Sequence, residues 1–175
     1  MKVIGIVFSD LHLGEFSKFN EDNKRTLSIF RVLSLIKDLC IKYKCPAFFC
    51  GDFMHRPEFI STSLDEIIIE QFEELNRCEE FNIYGISGNH DLQKSNTIER
   101  RSSSHWANLC RRYSFLHNID FSYHDFGKFR VVGIPYIDHN KGLDSLIKAE
   151  LKGAMLKPTI LLLHTDYPCL LYTSD

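Results

Sequence analysis

No apolar stretch in the chain is long enough to span a bilayer, which argues against a membrane-spanning helix. The apolar run from Lys2 to Phe8 is shorter than a signal-peptide core and passes straight into Ser9-Asp10 with no small-residue cleavage site, so secretion is not signalled. The cysteines Cys40, Cys45, Cys50, Cys78, Cys110 and Cys169 show no C-x-x-C spacing. Several lie in apolar runs where a buried free thiol is ordinary, and the expectation is a reducing compartment: the cytoplasm, or a host cytoplasm if the gene is carried by a phage. An excess of positive charge is also missing, with 21 Lys and Arg against 23 Asp and Glu, which argues against a generally basic nucleic-acid binder. A phosphate substrate stays open, because bound divalent cations carry positive charge that a residue count omits. There is no repeat, low-complexity segment or convincing linker.

What is present fits one domain of ordinary globular composition, 44% hydrophobic and 25% charged. Val3 to Phe8 predicts a strand buried on both faces, delivering Ser9-Asp10-Leu11-His12-Leu13-Gly14. From Thr26 to Tyr43, apolar residues at helical spacing predict an amphipathic helix. Ala47 to Cys50 reads as a second strand, running into Gly51-Asp52-Phe53-Met54-His55. A capping box at Ser63-Leu64-Asp65-Glu66 predicts a helix that buries Leu64, Ile67, Ile68, Phe72 and Leu75. Phe81 to Ile86 is a third strand and ends in Ser87-Gly88-Asn89-His90-Asp91. Beyond it come a short helix from His105 to Arg112, strands from Ile119 to Tyr123 and Lys128 to Gly133 joined as a hairpin, and a helix from Lys141 to Met155. A last strand, Thr159 to Leu163, ends in His164. The alternation of strand, polar loop and helix predicts a parallel β-α-β core with right-handed crossovers.

Four apolar strands thus end in groups able to hold a metal: Asp10 and His12, Asp52, Asn89 and His90, and His164. Each motif alone is weak, and D-x-H by itself is more often a capped turn. The set is not readily explained by turn chemistry. Carboxylate, imidazole and amide ligands without thiolates suit manganese, iron or a catalytic zinc rather than a structural zinc.

D-x-H, G-D, G-N-H-D and a later strand-end histidine, in that order, resemble the calcineurin-like metallophosphoesterases. The resemblance implies an α/β fold, the four-layer α/β/β/α metallophosphoesterase sandwich. It also implies two divalent metal ions, Mn2+ first, with iron or zinc as alternatives. Asp10 and His12 would hold the first, Asp52 would bridge, and Asn89 and His164 would hold the second. Two cations about 3.5–4 Å apart can activate a hydroxide and stabilise both oxygens of an in-line displacement. His90 would face the substrate and steady the pentavalent phosphorus and leaving oxygen, with Asp91 orienting its ring; a bare hydrogen-bonding role is the alternative. Leu11-His12-Leu13-Gly14 and Gly51-Asp52-Phe53-Met54-His55 look most like the SbcD-type nuclease subunits of double-strand-break repair. On that likeness His55 assists an exonuclease reaction, the substrate is DNA, and the full-length protein has an SbcC-like ATPase partner and can form a homodimer. Otherwise His55 is a solvent-facing histidine at a helix start. A phosphatase or cyclic phosphodiesterase on the same core, and a non-catalytic scaffold, are the alternatives at the level of function.

Arg100, Arg101, Arg111 and Arg112, interleaved with His105, Trp106 and Tyr113, could grip a nucleic-acid backbone and stack a base, although a solvated helix face is the commoner meaning of such a run. His105, His117, His124 and His139 are expected as surface or core residues. The family's G-H-x-H loop is absent, since eleven residues follow His164. Cys169 to Asp175 resembles one reading frame of a transposon-end sequencing adapter. The expectation is therefore a partial domain over 1–168, incomplete at the C-terminus, with a non-native tail over 169–175. It carries further expectations: weak metal binding, little turnover and an unpaired strand edge near Thr159 to Leu163.

Overall fold

Short branched and aromatic runs form the strands, and the helices between them bury one apolar stripe each. In the computed structural model the described residues are 2–14, 23–55, 61–92, 104–137 and 157–165, with Ser145, Ile147 and Lys148 besides. The first sheet holds β1 (Ile6–Phe8), β2 (Ala47–Phe49), β3 (Ile83–Gly85) and β4 (Leu116–Asn118) in that order, every pair parallel. Helices α1 (Lys24–Tyr43) and α2 (Thr62–Asn76) make the crossovers, and α3 (His105–Arg112) leads into β4. The second sheet is β5 (Ser122–Asp125) antiparallel to β6 (Arg130–Ile134), which pairs parallel with β7 (Thr159–Leu163).

Period-two alternation divides the interior into two cores. Ala47, Phe49 and Ile83 point into one cluster with Phe30, Leu33 and Ile36 of α1, Leu64, Ile68 and Phe72 of α2, and Trp106 of α3. All three helices therefore cover one face of the first sheet. Phe48 points the other way, into a cluster with Ile86, Ile119, Val131 and Leu162, flanked by Phe126 and Phe129, and this joins the two sheets. The fold is a mixed α/β arrangement of helix, sheet and sheet, as the resemblance implies. The helix expected over 141–155, the polar stretch over 93–103, His139 and the 169–175 tail lie wholly or mostly outside the described residues.

Several expectations are corrected. The first strand is shorter than Val3 to Phe8 and lies at the edge of the sheet among the described residues, with Val7 61% exposed, so it is not buried on both faces. In α1 the stripe is Thr26, Phe30, Leu33, Ile36 and Cys40, while Leu27 and Tyr43 are exposed. The second helix starts earlier than its capping box: Ser61 is the N-cap and its hydroxyl accepts from the Leu64 N–H at 3.4 Å. Strand β4 has no signal in the sequence, because Leu116-His117-Asn118 shows neither an apolar run nor clean alternation, and it is recruited by pairing with β3. The expected strand from Ile119 to Tyr123 is displaced to β5, since Phe121 takes a left-handed turn at φ 50°. The hairpin itself is present: Gly127, at φ 78°, donates its N–H to Asp125 Oδ1 at 2.7 Å. Helix α3 has the expected bounds and is capped by Ser104. No helix among the described residues is long and apolar enough to cross a membrane.

Candidate metal centre

The ends of β1 and β2 are joined by more than the strands. Beyond Phe8 and Phe49 the parallel pairing continues into the loops: Asp10 N–H donates to the Gly51 carbonyl at 3.0 Å, His12 N–H to Asp52 at 3.0 Å, and Leu13 N–H to Phe53 at 2.8 Å. His55 N–H closes the series on the Leu13 carbonyl at 2.8 Å. Along this irregular ladder Asp10, His12 and Asp52 have φ of 56°, 47° and 64°, the left-handed region that costs an ordinary side chain about 1–3 kcal/mol. The other left-handed positions include Lys44 at the C-terminal end of α1, where such backbone is a common helix terminator, and Asn23 at its N-cap. The strain in the loops turns the side chains of Asp10, His12 and Asp52 toward one point.

Asp52 is the hub. Its side chain is 5% exposed, Oδ1 accepts the His90 N–H at 2.9 Å, and Oδ2 lies 3.7 Å from His12 Nε2 and 3.5 Å from His164 Nε2. His12 Nε2 is 3.6 Å from Asp10 Oδ1. One ligand atom from each of Asp10, His12 and Asp52 falls within 4.8 Å of the others. Burial lowers the His12 pKa, with the charges of Asp52 and Asp10 opposing and His90 assisting, so its imidazole is available in the neutral form that metals bind.

The second half of the site comes from the other sheet. His164 Nδ1 lies 2.7 Å from the Cys50 carbonyl, which can only accept, so Nδ1 carries the proton and Nε2 presents a lone pair. That lone pair faces Asn89 Oδ1 at 3.0 Å and Asp52 Oδ2 at 3.5 Å. Three electron-rich atoms turned on one another make a cradle that a cation would fill. Separations of 3.0–3.7 Å suit an ion about 2.0–2.2 Å from each ligand. The residues present therefore fit two divalent ions: one at Asp10, His12 and Asp52, the other at Asp52, Asn89 and His164. The five residues expected as ligands are brought together.

A model of the calcineurin-like phosphoesterase family matches residues 6–172. The chain belongs to that family. No curated protein matches it significantly. It is also similar to the crystal structure of Pseudomonas putida nuclease MPE, with a TM-score of 0.41 and 12% identity, over 78% of this chain and 56% of that one. The chain thus spans less than two thirds of the length of that protein.

Two glycines let this family site close. A Cβ on Gly88 would run into Asp52 Oδ1 and the Asp52 backbone nitrogen, and one on Gly51, at φ 102°, would meet the His164 ring. Gly88→Ala should therefore cost about 1–3 kcal/mol of stability, as overpacked sites do. It should also weaken Mn2+ binding at least ~10-fold, by analogy with displacing an outer partner of a metal ligand. Calorimetric titration beside a urea melt checks both; unchanged metal affinity would show that Asp52 can yield.

Asp91 has a different position from the one expected. It is fully buried, and its two oxygens accept the backbone N–H groups of Gly88 at 2.8 Å, Asp52 at 2.9 Å, Met54 at 2.9 Å and Phe53 at 3.0 Å. These bonds tie the β3 loop to the β2 loop. They leave Asp91 holding Asp52 in place, where the sequence suggested an orienter of the His90 ring. Trp106 is likewise corrected: it is fully buried against Phe49 and Phe53, with ring centroids 5.0 and 5.3 Å away, so it offers no face to a base. Tyr113 is buried too, while Arg111 and Arg112 are exposed, and Arg100 and Arg101 lie outside the described residues.

One further support escaped the reading of the sequence. Ala107 N–H donates to Ser104 Oγ at 2.9 Å, the two hydroxyls of Ser104 and Ser87 meet at 2.7 Å, and Ser87 Oγ donates to Asp120 Oδ2 at 2.6 Å. Asp120 Oδ1 also takes the Ser87 N–H at 2.8 Å. The start of the Gly88-Asn89-His90 loop is thereby fixed to α3 and to the turn before β5. A polar residue between Ile119 and Phe121 was the only available signal, and isolated Asp residues in turns are too common to single one out.

Proposed function

We propose that the chain is the catalytic part of a DNA exonuclease or endonuclease, hydrolysing phosphodiester bonds with two manganese ions at the centre described above. The observation that carries the reading is the place of His55. The loop ladder sets its ring 5.2 Å from that of His90, nearly parallel, and 5.6 Å from that of His12. A histidine three residues after the hub carboxylate is the feature that the nuclease subunits of double-strand-break repair share with this sequence.

When bound, the two cations supply Lewis-acid neutralisation of the phosphate and a nucleophile drawn from water at neutral pH. The protein's own residues do the rest. Asp52 is held by the His90 backbone N–H, so the hub carboxylate and the backbone that carries the His90 ring are tied together. His90 lies edge-on to His12, with centroids 4.7 Å apart, where its N–H can donate to a phosphate oxygen and to the departing alkoxide. His55, beside it, would present a second proton donor to the leaving strand. An SbcC-like ATPase is the partner we propose for the full-length protein.

The test compares the Mn2+-loaded chain on linear duplex DNA, bis-nitrophenyl phosphate and nitrophenyl phosphate. Diester cleavage should exceed monoester cleavage at least ~10-fold in kcat/KM, a difference worth about 1.4 kcal/mol in the transition state. His55→Ala should lower DNA cleavage more than cleavage of the small diester. A preference for the monoester would replace the nuclease reading with a phosphatase on the same centre.

A further inference from the structure

Outside the carboxylate-containing ligand set, the described residues contain one other cluster of metal-ligating side chains. His12, His55 and His90 each place a ring nitrogen within 4.8 Å of the other two, and none of the three is fully buried. The rings of His55 and His90 are nearly parallel at 25°, and His12 stands across both, at 75° to the first and 88° to the second. We infer that these three imidazoles form a separate binding mode for a borderline-soft divalent cation such as Zn2+, one that excludes the ion held by Asp10, His12 and Asp52.

Ligand chemistry selects the ion. Three neutral imidazoles around one ion, with a fourth position open to water, is a zinc geometry, whereas manganese prefers carboxylate and water oxygens. A tetrahedral ion about 2.0–2.1 Å from each nitrogen needs them about 3.3 Å apart. From separations of at most 4.8 Å, each pair closes by about 1.5 Å or less, within reach of side-chain rotation on rings that are not fully buried. The His55 backbone is fixed by its N–H bond to Leu13 and the His90 backbone by its N–H bond to Asp52, so both rings swing from anchored main chain.

Exclusion follows from His12. A neutral imidazole has a single lone-pair nitrogen, so His12 can serve one ion at a time. Zinc bound in this mode would also occupy His90 and His55, the residues assigned above to the phosphate and leaving oxygen. The consequence is competitive: zinc would displace manganese from one half of the centre and silence it. This rests in part on the proposed dimetal reading, but the binding mode itself does not require turnover.

The experiment titrates the metal-free full chain with Co2+, a spectroscopic stand-in for zinc, and separately with Mn2+. Wild type should give the intense visible bands of four-coordinate cobalt, and an equivalent of Zn2+ should abolish them. His55→Ala and His90→Ala should each weaken that signal at least ~10-fold in affinity while Mn2+ binding stays within about twofold of wild type. Asp52→Asn should do the reverse, keeping the cobalt bands and losing manganese. His55→Gln, close in size and without a ring nitrogen, repeats the test should His55→Ala unfold, with circular dichroism as the check. Cobalt bands that survive both histidine variants, that vanish with Asp52→Asn, or that never appear would each overturn the inference. Failure of the dimetal reading would instead show as wild type that binds no Mn2+, which the parallel titration reads separately.

Discussion

Asp52→Asn should abolish the phosphodiester cleavage proposed for this centre, with kcat/KM falling at least about a thousandfold below whatever turnover the parent chain shows, the equivalent of roughly 4 kcal/mol of lost charge stabilisation. The substitution keeps shape. The asparagine amide would still accept the His90 N–H through its carbonyl oxygen, so the loop should stay where it is. What disappears is the negative charge at Oδ2, the atom that lies 3.7 Å from His12 and 3.5 Å from His164 and faces both halves of the centre. Mn2+ binding should weaken by two orders of magnitude or more, ~3 kcal/mol at 1.4 kcal/mol per decade. The metal-free variant should melt within a few degrees of the metal-free parent, because among the described residues the carboxylate's hydrogen bond is the one from the His90 N–H, which asparagine also accepts, and its approaches to His12 and His164 are 3.7 and 3.5 Å. Isothermal titration with Mn2+ and a paired thermal melt decide it. Full metal affinity in the variant would remove Asp52 from its place as the shared ligand.

Asp91→Ala should be the most destabilising single change at the centre. Four backbone N–H groups, of Asp52, Phe53, Met54 and Gly88, lose their acceptor. At about 1–3 kcal/mol for each buried donor left unpaired, the loss is ~4 kcal/mol or more, against a typical total of roughly 5–15. The cost also depends on pH in a definite direction. Burial pushes the Asp91 carboxyl up to about 6, against the pull of the Met54, Gly88 and Phe53 N–H groups. Because its folded pKa lies above its unfolded one, the stability it contributes is full below the ordinary carboxylate range and declines as pH rises through 6. The gap between parent and variant, both metal-free, should therefore be wider at pH 4 than at pH 7, by up to about 3 kcal/mol at 1.36 kcal/mol per pKa unit. Urea unfolding at the two pH values measures it, and a gap that widens toward neutral pH would show that the amide bonds outweigh burial.

The parts of the fold legible in the sequence were those where one apolar pattern decided the outcome. The hydrophobic stripe of α1, the cap and length of α3 and the apolar run of β7 are local signals. Strand β4 was not legible because Leu116-His117-Asn118 becomes a strand only by lying against β3, a tertiary effect with no local trace. The candidate ligands were legible because strand ends, a short motif vocabulary and their order coincide. Their supports were not. That Asp91 reaches across thirty-seven to thirty-nine residues to the amides of Asp52, Phe53 and Met54, or that Ser87 and Asp120 meet, depends on how three loops pack. Nothing at either end of such a bond marks its partner.

The centre draws Asp10, His12, Asp52 and Asn89 from one sheet and His164 from the other, and aromatic packing sets the spacing between them. Phe48 from β2 meets Phe126 and Phe129 of the hairpin at centroid distances of 5.7 and 6.3 Å. These rings act as a gauge block between the sheets. Their thickness helps set how far His164 stands from Asp52, so the bite of the candidate metal centre depends on an oily interior that contributes none of its ligands. Drift in the residues of that interior would retune the separation of Asp52 from His164 while every candidate ligand stayed unchanged.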